Sequence, residues 1–249
     1  MWRVGAWNRI MERRVKPELL DELPAHDLGA VGSRRDLQRL NAWMGNCGIM
    51  TRSLHSASNG HMPGRITELG AGDGRFLLRV ARRLSEWKGA RAMLLDRHDV
   101  ISPKTRQAFE ALGWDVEFLQ ADVLEWLRQP AIAACDAMIA NLFLHHFSDA
   151  QLAQLLRRVA ARISLFIAIE PRRSVWSLAF SRGLWLLGCN RVTRYDAPIS
   201  VHAGFSGNDL SRLWPADDGW FLQERRAGAF SHLFVAQRNP RSPQGSRFP

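Results

Sequence analysis

The chain has 249 residues, 46% of them hydrophobic, enough to bury a sizeable core as one large α/β domain with an extension or as two small domains; a disordered chain is excluded. Its net charge of +10 comes almost wholly from arginine, since lysine stands only at 16, 88 and 104. Such a balance favours anionic partners, nucleic acid or a lipid surface, but the arginines are dispersed as on solvated helix faces, and only 239–249 form a basic stretch free of acids.

Residues 1–60 show no strand pattern. A helix is expected to open at Ser33, with Leu37, Leu40, Trp43, Met44 and Cys47 at helical spacing, and Pro24 and Gly29 separate it from an earlier short helix. The turn-rich segment 58–64 then leads into short apolar runs alternating with amphipathic helices, as parallel βαβ units do. Strands are predicted at 65–69, 92–95, 115–119, 137–140 and 165–169, with helices from 73 to about 87, 103 to 112 and 149 to 162. After Glu170-Pro171 a Trp- and Leu-rich helix is expected over 175–187, then an irregular segment through Phe205. A short helix ends near Trp214-Pro215, and two closing strands lie at 220–224 and 231–236. The βαβαβ order predicts a doubly wound sheet.

Cys47, Cys135 and Cys189 are far apart with no C-x-x-C spacing, which argues for reduced thiols and against a disulfide frame or a zinc site; no metal is expected. The first residues lack a signal-peptide pattern, and no run approaches the roughly 18 apolar residues of a spanning helix. A cytoplasmic protein is therefore expected, with membrane contact limited to the periphery.

The most informative segment is Glu68-Leu69-Gly70-Ala71-Gly72-Asp73-Gly74, a strand running into a glycine turn between two carboxylates. Glycines let the backbone turn sharply and lie against a ligand. The dinucleotide fingerprint requires a third glycine three residues after Gly72, where Arg75 stands, and Glu68 and Asp73 sit badly beside a pyrophosphate. They suit a nucleoside carrying positive charge, as the sulfonium and ammonium of S-adenosylmethionine do. Asp96 and Arg97 follow the second strand, where a carboxylate suits ribose hydroxyls. Ala121-Asp122-Val123 follow the third, where Asp122 equally suits a helix N-cap. The fourth leads into Asn141-Leu142-Phe143-Leu144-His145-His146-Phe147.

These residues resemble the class I S-adenosylmethionine-dependent methyltransferases, whose first motif has the form E/D-x-G-x-G-x-G. The 141–147 segment is similar to that of small-molecule members, particularly the quinone-biosynthesis type. The resemblance implies a Rossmann-like, mostly parallel seven-stranded sheet with an antiparallel last strand, plus an α-helical N-terminal extension. It implies cofactor contacts from Glu68, Gly70, Ala71, Gly72, Asp73, Gly74, Asp96, Arg97, Ala121, Asp122, Val123, Asn141 and Leu142. For the acceptor it points to His145, His146, Glu170, Tyr195 and His202, with His145 or His146 as general base because histidine titrates near neutral pH. The expected division is 1–60 as helical extension and substrate cap, 61–237 as cofactor domain, and 238–249 as a flexible basic tail. The acceptor is expected to be small and lipophilic, with phenolic or quinone-like compounds as candidates. Nucleic acid is disfavoured because the D/N-P-P-Y/F motif of base methyltransferases is missing: no proline stands between 130 and 171. An RNA methyltransferase and a noncatalytic binder of the cofactor are the alternatives.

Overall fold

The computed structural model describes residues 11–24, 26–98, 100–129 and 135–239. Three helices come first: α1 (Leu19–Glu22), α2 (Leu28–Met44) and α3 (Asn46–Ala57). The α2 helix begins five residues before the expected Ser33, because the Asp27 carboxylate caps it by accepting hydrogen bonds from the Gly29 and Ala30 N–H groups. It stops where Gly45 turns into the left-handed region at φ 72°.

The alternating segment then gives β1 (Arg65–Leu69), α4 (Arg75–Arg83), β2 (Arg91–Asp96), α5 (Pro103–Glu110), β3 (Asp115–Gln120), α6 (Val123–Trp126), β4 (Ala137–Asn141), α7 (Asp149–Ala160) and β5 (Leu165–Pro171). The C-terminal part adds α8 (Val175–Arg182), α9 (Arg191–Ala203), α10 (Asp209–Leu213), β6 (Trp220–Ala227) and β7 (Ser231–Arg238). Short 3-10 turns cover Leu144–His146 and Leu184–Leu187. The segment expected to be irregular before Phe205 is therefore largely helix. Asn190 caps α9 by accepting from the Thr193 N–H, and the helix accommodates Pro198 in its interior. The single expected helix 175–187 is interrupted at Gly183. The basic tail from residue 240 onward lies outside the described residues.

The seven strands form one sheet in the order β3-β2-β1-β4-β5-β7-β6. β1 to β5 are parallel, and β7 inserts antiparallel between β5 and β6. Apolar clusters cover both faces. Leu77, Val80, Leu84, Trp87 and Phe109 pack on one, and Leu152, Leu155, Leu156, Val159 and Trp214 on the other. Met50 and Leu54 of α3 are wholly buried in the first cluster, so this part of the expected extension is a layer of the domain itself. Each such side chain contributes about 1.5–3 kcal/mol on burial. The strand order reverses between β1 and β4, which sets their carboxyl ends side by side and leaves a crevice there.

Candidate active site

The glycine turn occupies that crevice. Gly70, Gly72 and Gly74 have φ of 69°, 53° and 72°, a region that β-carbon-bearing residues adopt at a cost. A β-carbon on Gly70 would fall 2.1 Å from Cδ2 of Phe143, and one on Gly74 would fall 2.9 Å from Cδ1 of Leu94. One on Gly72 would meet nothing within 4 Å. Packing against Phe143 thus requires the first glycine, the left-handed φ favours the third, and the second borders open space. The Gly70 and Ala71 N–H groups donate to the Leu95 carbonyl, and the Asp96 carboxylate accepts from the N–H groups of Gly72 (2.8 Å) and His98 (2.9 Å). Asp96 therefore pins the turn to the end of β2 and still has free lone pairs on both oxygens.

Glu68, Gly70, Ala71, Gly72, Asp73, Asn141 and Leu142, all expected cofactor contacts, line one cleft together with Arg75, Phe76 and Arg79 of α4. Its roof is α2, through Arg34, Leu37, Gln38 and Asn41. Nothing in the sequence marks α2 as part of the site: its helical spacing is visible, its docking over the turn is not. Gln38 joins the two elements: its amide donates to the Asp73 carboxylate and its carbonyl oxygen accepts from Arg75 at 2.9 Å. Three asparagines tie the helices to the sheet. The Asn46 amide donates to Asn41 (2.8 Å) and Asn141 (3.1 Å), the Asn141 amide donates to Asn41 (3.2 Å), and Ser231 donates to Asn46 (2.6 Å).

Glu68 is the electrostatic anomaly of the cleft. It is 1% exposed and its Oε2 has no hydrogen-bond partner. Burial, reinforced by the charges of Asp73 and Asp96, raises its pKa well above the usual carboxylate value. A buried carboxyl facing two further carboxylates forms a site for a cation.

Other expected contacts sit differently. Asp122 caps α6, accepting from Leu124 (2.8 Å) and Glu125 (3.2 Å), the N-cap role that its position equally allowed. Arg97 is exposed at the end of β2, and the Ala121 N–H is spent on the Asp96 carbonyl. Val123 packs into the core, which corrects its expected place beside the ligand.

On the acceptor side, the Glu170 carboxylate is fully buried at the end of β5 and accepts from the N–H groups of Phe143 (3.0 Å) and Leu144 (2.8 Å) and from Nδ1 of His145 (2.8 Å). It builds the turn after β4 and has no surface for a substrate. Nε2 of His145 faces Glu18 at 3.4 Å. Burial alone would lower the His145 pKa, but hydrogen bonds and charge from Glu170 and Glu18 outweigh it and raise it to about 9. His145 is therefore a cation between two carboxylates at neutral pH, which corrects its reading as general base. His146 stacks beside it at 4.2 Å between ring centroids, more open to solvent, with Nδ1 3.1 Å from Asp21. Glu18, His145 and His146 each offer a ligand atom within 4.8 Å of the others, so a cation could settle there only by displacing the His145 proton. Arg13 and Arg173 fasten the N-terminal segment: Arg13 to the carbonyls of Ala203 and Phe147 and to Asp149, Arg173 to Met11, Gly204 and Asp209. Tyr195 and His202 both lie on α9, Tyr195 with its side chain exposed, and neither lines the cleft.

A mostly parallel sheet with an inserted antiparallel β7 and a glycine turn at the strand-order reversal defines a Rossmann-like nucleoside-binding fold. Residues 66–164 match the family model for a methyltransferase domain, and the cofactor of the class I methyltransferases that this sequence resembles is S-adenosylmethionine. The fold is similar to that of an O-methyltransferase family protein from Burkholderia thailandensis, at 19% identity and a TM-score of 0.55, over 86% of this chain and 61% of that one. It is also similar to magnesium protoporphyrin IX methyltransferase from Synechocystis PCC 6803 with bound SAH, at 13% identity and a TM-score of 0.52, over 88% and 91%. A third neighbour, the pyocyanin biosynthetic protein PhzM, has 17% identity and a TM-score of 0.53 over 88% and 60%. The chain thus spans about three fifths of the length of the first and third of these. Among curated proteins none matches the sequence significantly.

The residues of the cleft fit the cofactor of that class. The orphaned Glu68 oxygen and the open space before Gly72 are the two features that a cationic nucleoside close to the turn would satisfy.

Proposed function

We propose that the protein transfers a methyl group from S-adenosylmethionine to a small, lipophilic acceptor, phenolic or quinone-like, with residues 61–237 holding the cofactor and residues 1–60 together with 171–205 closing over the acceptor. The observation that carries the cofactor assignment is Glu68, a buried carboxyl with an unpartnered oxygen at a cleft that Asp73 also lines. When bound, the cofactor supplies an activated methyl on a sulfonium, open to in-line displacement. The chain's own part is then to hold donor and acceptor in line, which contributes roughly 7–11 kcal/mol to lowering a barrier of this kind. Glu68 and Asp73 would receive the positive end of the cofactor, Asp96 would accept from ribose hydroxyls with its remaining lone pairs, and Gly72, with open space before it, would leave room for the ligand; Asn141 and Leu142 would border both cofactor and acceptor.

For a hydroxyl acceptor the base is His146. Asp21 holds Nδ1 and leaves Nε2 to take the proton, while the neighbouring His145 is already charged. An O-methyltransferase family protein and a pyocyanin biosynthetic protein among the structural neighbours share this fold, which is consistent with such an acceptor.

The test is methyl transfer from radiolabelled S-adenosylmethionine to a panel of alkylphenols and quinols, with total RNA in parallel. Label is expected in the organic extract and not in RNA. Label in RNA alone, or in neither, contradicts the proposal, and the second result favours a noncatalytic binder.

A further inference from the structure

The α2 helix that roofs the cleft carries, together with α8, the 184–187 turn and α9, an unusual outer surface. Eleven large hydrophobic side chains are exposed among the described residues, and eight of them lie on α2, α8, the 184–187 turn or α9. Trp176 is 80% exposed, Leu186 70% and Trp185 60%, with Leu187 and Tyr195 beside them in the chain or on the next helix. These elements form one body. Trp43 of α2 stacks on Phe180 of α8 at 4.8 Å, Arg39 of α2 donates to the Leu187 carbonyl, and the Asn190 amide donates to the Gly29 carbonyl. Isolated exposed apolar residues need no explanation; a cluster of this size on one face marks an interaction surface.

Charge tells what the surface meets. Residues 28–44 and 172–203 together contain eight arginines and only two carboxylates, Asp36 and Asp196. Both carboxylates are buried and engaged: Asp36 with Arg39, Thr193 and the Asn190 N–H, Asp196 with the Leu19 and Leu20 N–H groups. The outward charge of these segments is therefore positive, with Arg182, Arg191 and Arg194 exposed among the tryptophans and leucines. Two copies of the chain meeting through these segments would set arginine against arginine, since neither Asp36 nor Asp196 is free to neutralise it. Tryptophan, tyrosine and leucine rimmed by arginine match the headgroup boundary of an anionic bilayer, where aromatic rings sit at the interface and guanidinium groups reach phosphates.

We propose that this face docks the protein on the surface of a membrane containing anionic phospholipid. No helix among the described residues is long and apolar enough to cross a membrane, so the contact is interfacial. Of these elements α2 lines the cleft on its inner side, through Leu37, Gln38 and Asn41, and α9 reaches Glu18 through Ser200. Docking would thus bring the acceptor side of the site to the lipid in which a lipophilic acceptor dissolves. This last step rests on the proposed function, whereas docking itself does not.

The experiment is sedimentation of the full chain with vesicles of equal parts phosphatidylglycerol and phosphatidylcholine, and with pure phosphatidylcholine, while tryptophan emission is followed. Binding to the mixed vesicles is expected, with a blue shift, weaker in high salt and weak on phosphatidylcholine. The triple variant Trp185→Ser, Leu186→Ser, Leu187→Ser should lose about tenfold or more in vesicle affinity. Should that variant misfold, the variant Arg191→Glu, Arg194→Glu, at two exposed positions, should show a comparable loss on mixed vesicles. Failure of the wild type to sediment with mixed vesicles overturns the proposal, as do variants that bind like wild type or self-association through this face without lipid binding. S-adenosylhomocysteine affinity, measured on the same preparations, is expected to stay unchanged in both variants and keeps this outcome separate from that of the proposed function.

Discussion

Replacing His145 with glutamine should remove a pH-dependent share of the protein's stability. In the folded chain His145 lies between Glu170 and Glu18 with a pKa of about 9, against 6.5 as the ordinary value. At 1.36 kcal/mol per pKa unit this difference amounts to roughly 3 kcal/mol. Since the side chain is 4% exposed, little of that is screened by solvent. The folded pKa is raised, so the contribution is fully present below pH 6.5, where both states hold the proton. It is lost as pH rises toward 9, because the unfolded chain has released a proton that the native state keeps. Urea unfolding at intervals from pH 6 to 9.5 measures it. The wild type should lose roughly 3 kcal/mol across this window, and His145→Gln should be less stable at pH 6 and nearly flat thereafter. Burial also raises the cysteine pKa values, Cys135 to about 11, which adds a change of the same sign at the alkaline end. The variant retains the cysteines, so the difference between the two curves isolates His145. Parallel curves for the two proteins would refute the charged sandwich.

The turn offers a paired test. Gly70→Ala forces its methyl into Phe143 and should cost about 2–4 kcal/mol in thermal stability from left-handed strain and overpacking. Gly72→Ala, with open space before it, should cost only about 1–2 kcal/mol of strain, yet its methyl projects where the ligand lies and should weaken cofactor binding at least as much as Gly70→Ala does. Equal stabilities would show the turn to be misplaced against Phe143. Asp96→Ala loses the bond to Gly72 and those to the ribose and should weaken S-adenosylhomocysteine binding by about 1–3 kcal/mol; unchanged affinity in calorimetry would remove Asp96 from the site. Because Glu68 is held protonated by burial, binding of a cation beside it should release a proton near neutral pH. Calorimetry in two buffers of different ionisation enthalpy should show this release for wild type and none for Glu68→Gln.

Strands and the glycine turn were legible because both depend on local chemistry: parallel strands need continuous apolar runs, and only glycine adopts φ 69° with Phe143 against its α-carbon. Position along the chain could not show that α2 folds over the turn, so Gln38, Asn41 and Asn46 went unread; an isolated asparagine looks the same on a solvated face as in a buried network. Gly29, which with Pro24 reads as a break, hides the start of α2, where Asp27 caps the helix, and α9 carries Pro198 in its interior behind a cap at Asn190. His145 and Glu170 are visible as residues, but their arrangement is not: the charge of His145 depends on Glu18, more than a hundred residues away in sequence and 3.4 Å away in space.

The central claim is that the crevice between β1 and β4 takes a sulfonium nucleoside on Glu68 and Asp96. Calorimetric titration of the full chain with S-adenosylmethionine, S-adenosylhomocysteine, NAD and NADP tests it most directly. Binding of the first two and silence from the dinucleotides is the predicted result. No heat from either sulfur nucleoside, with binding of NAD or NADP, would contradict it.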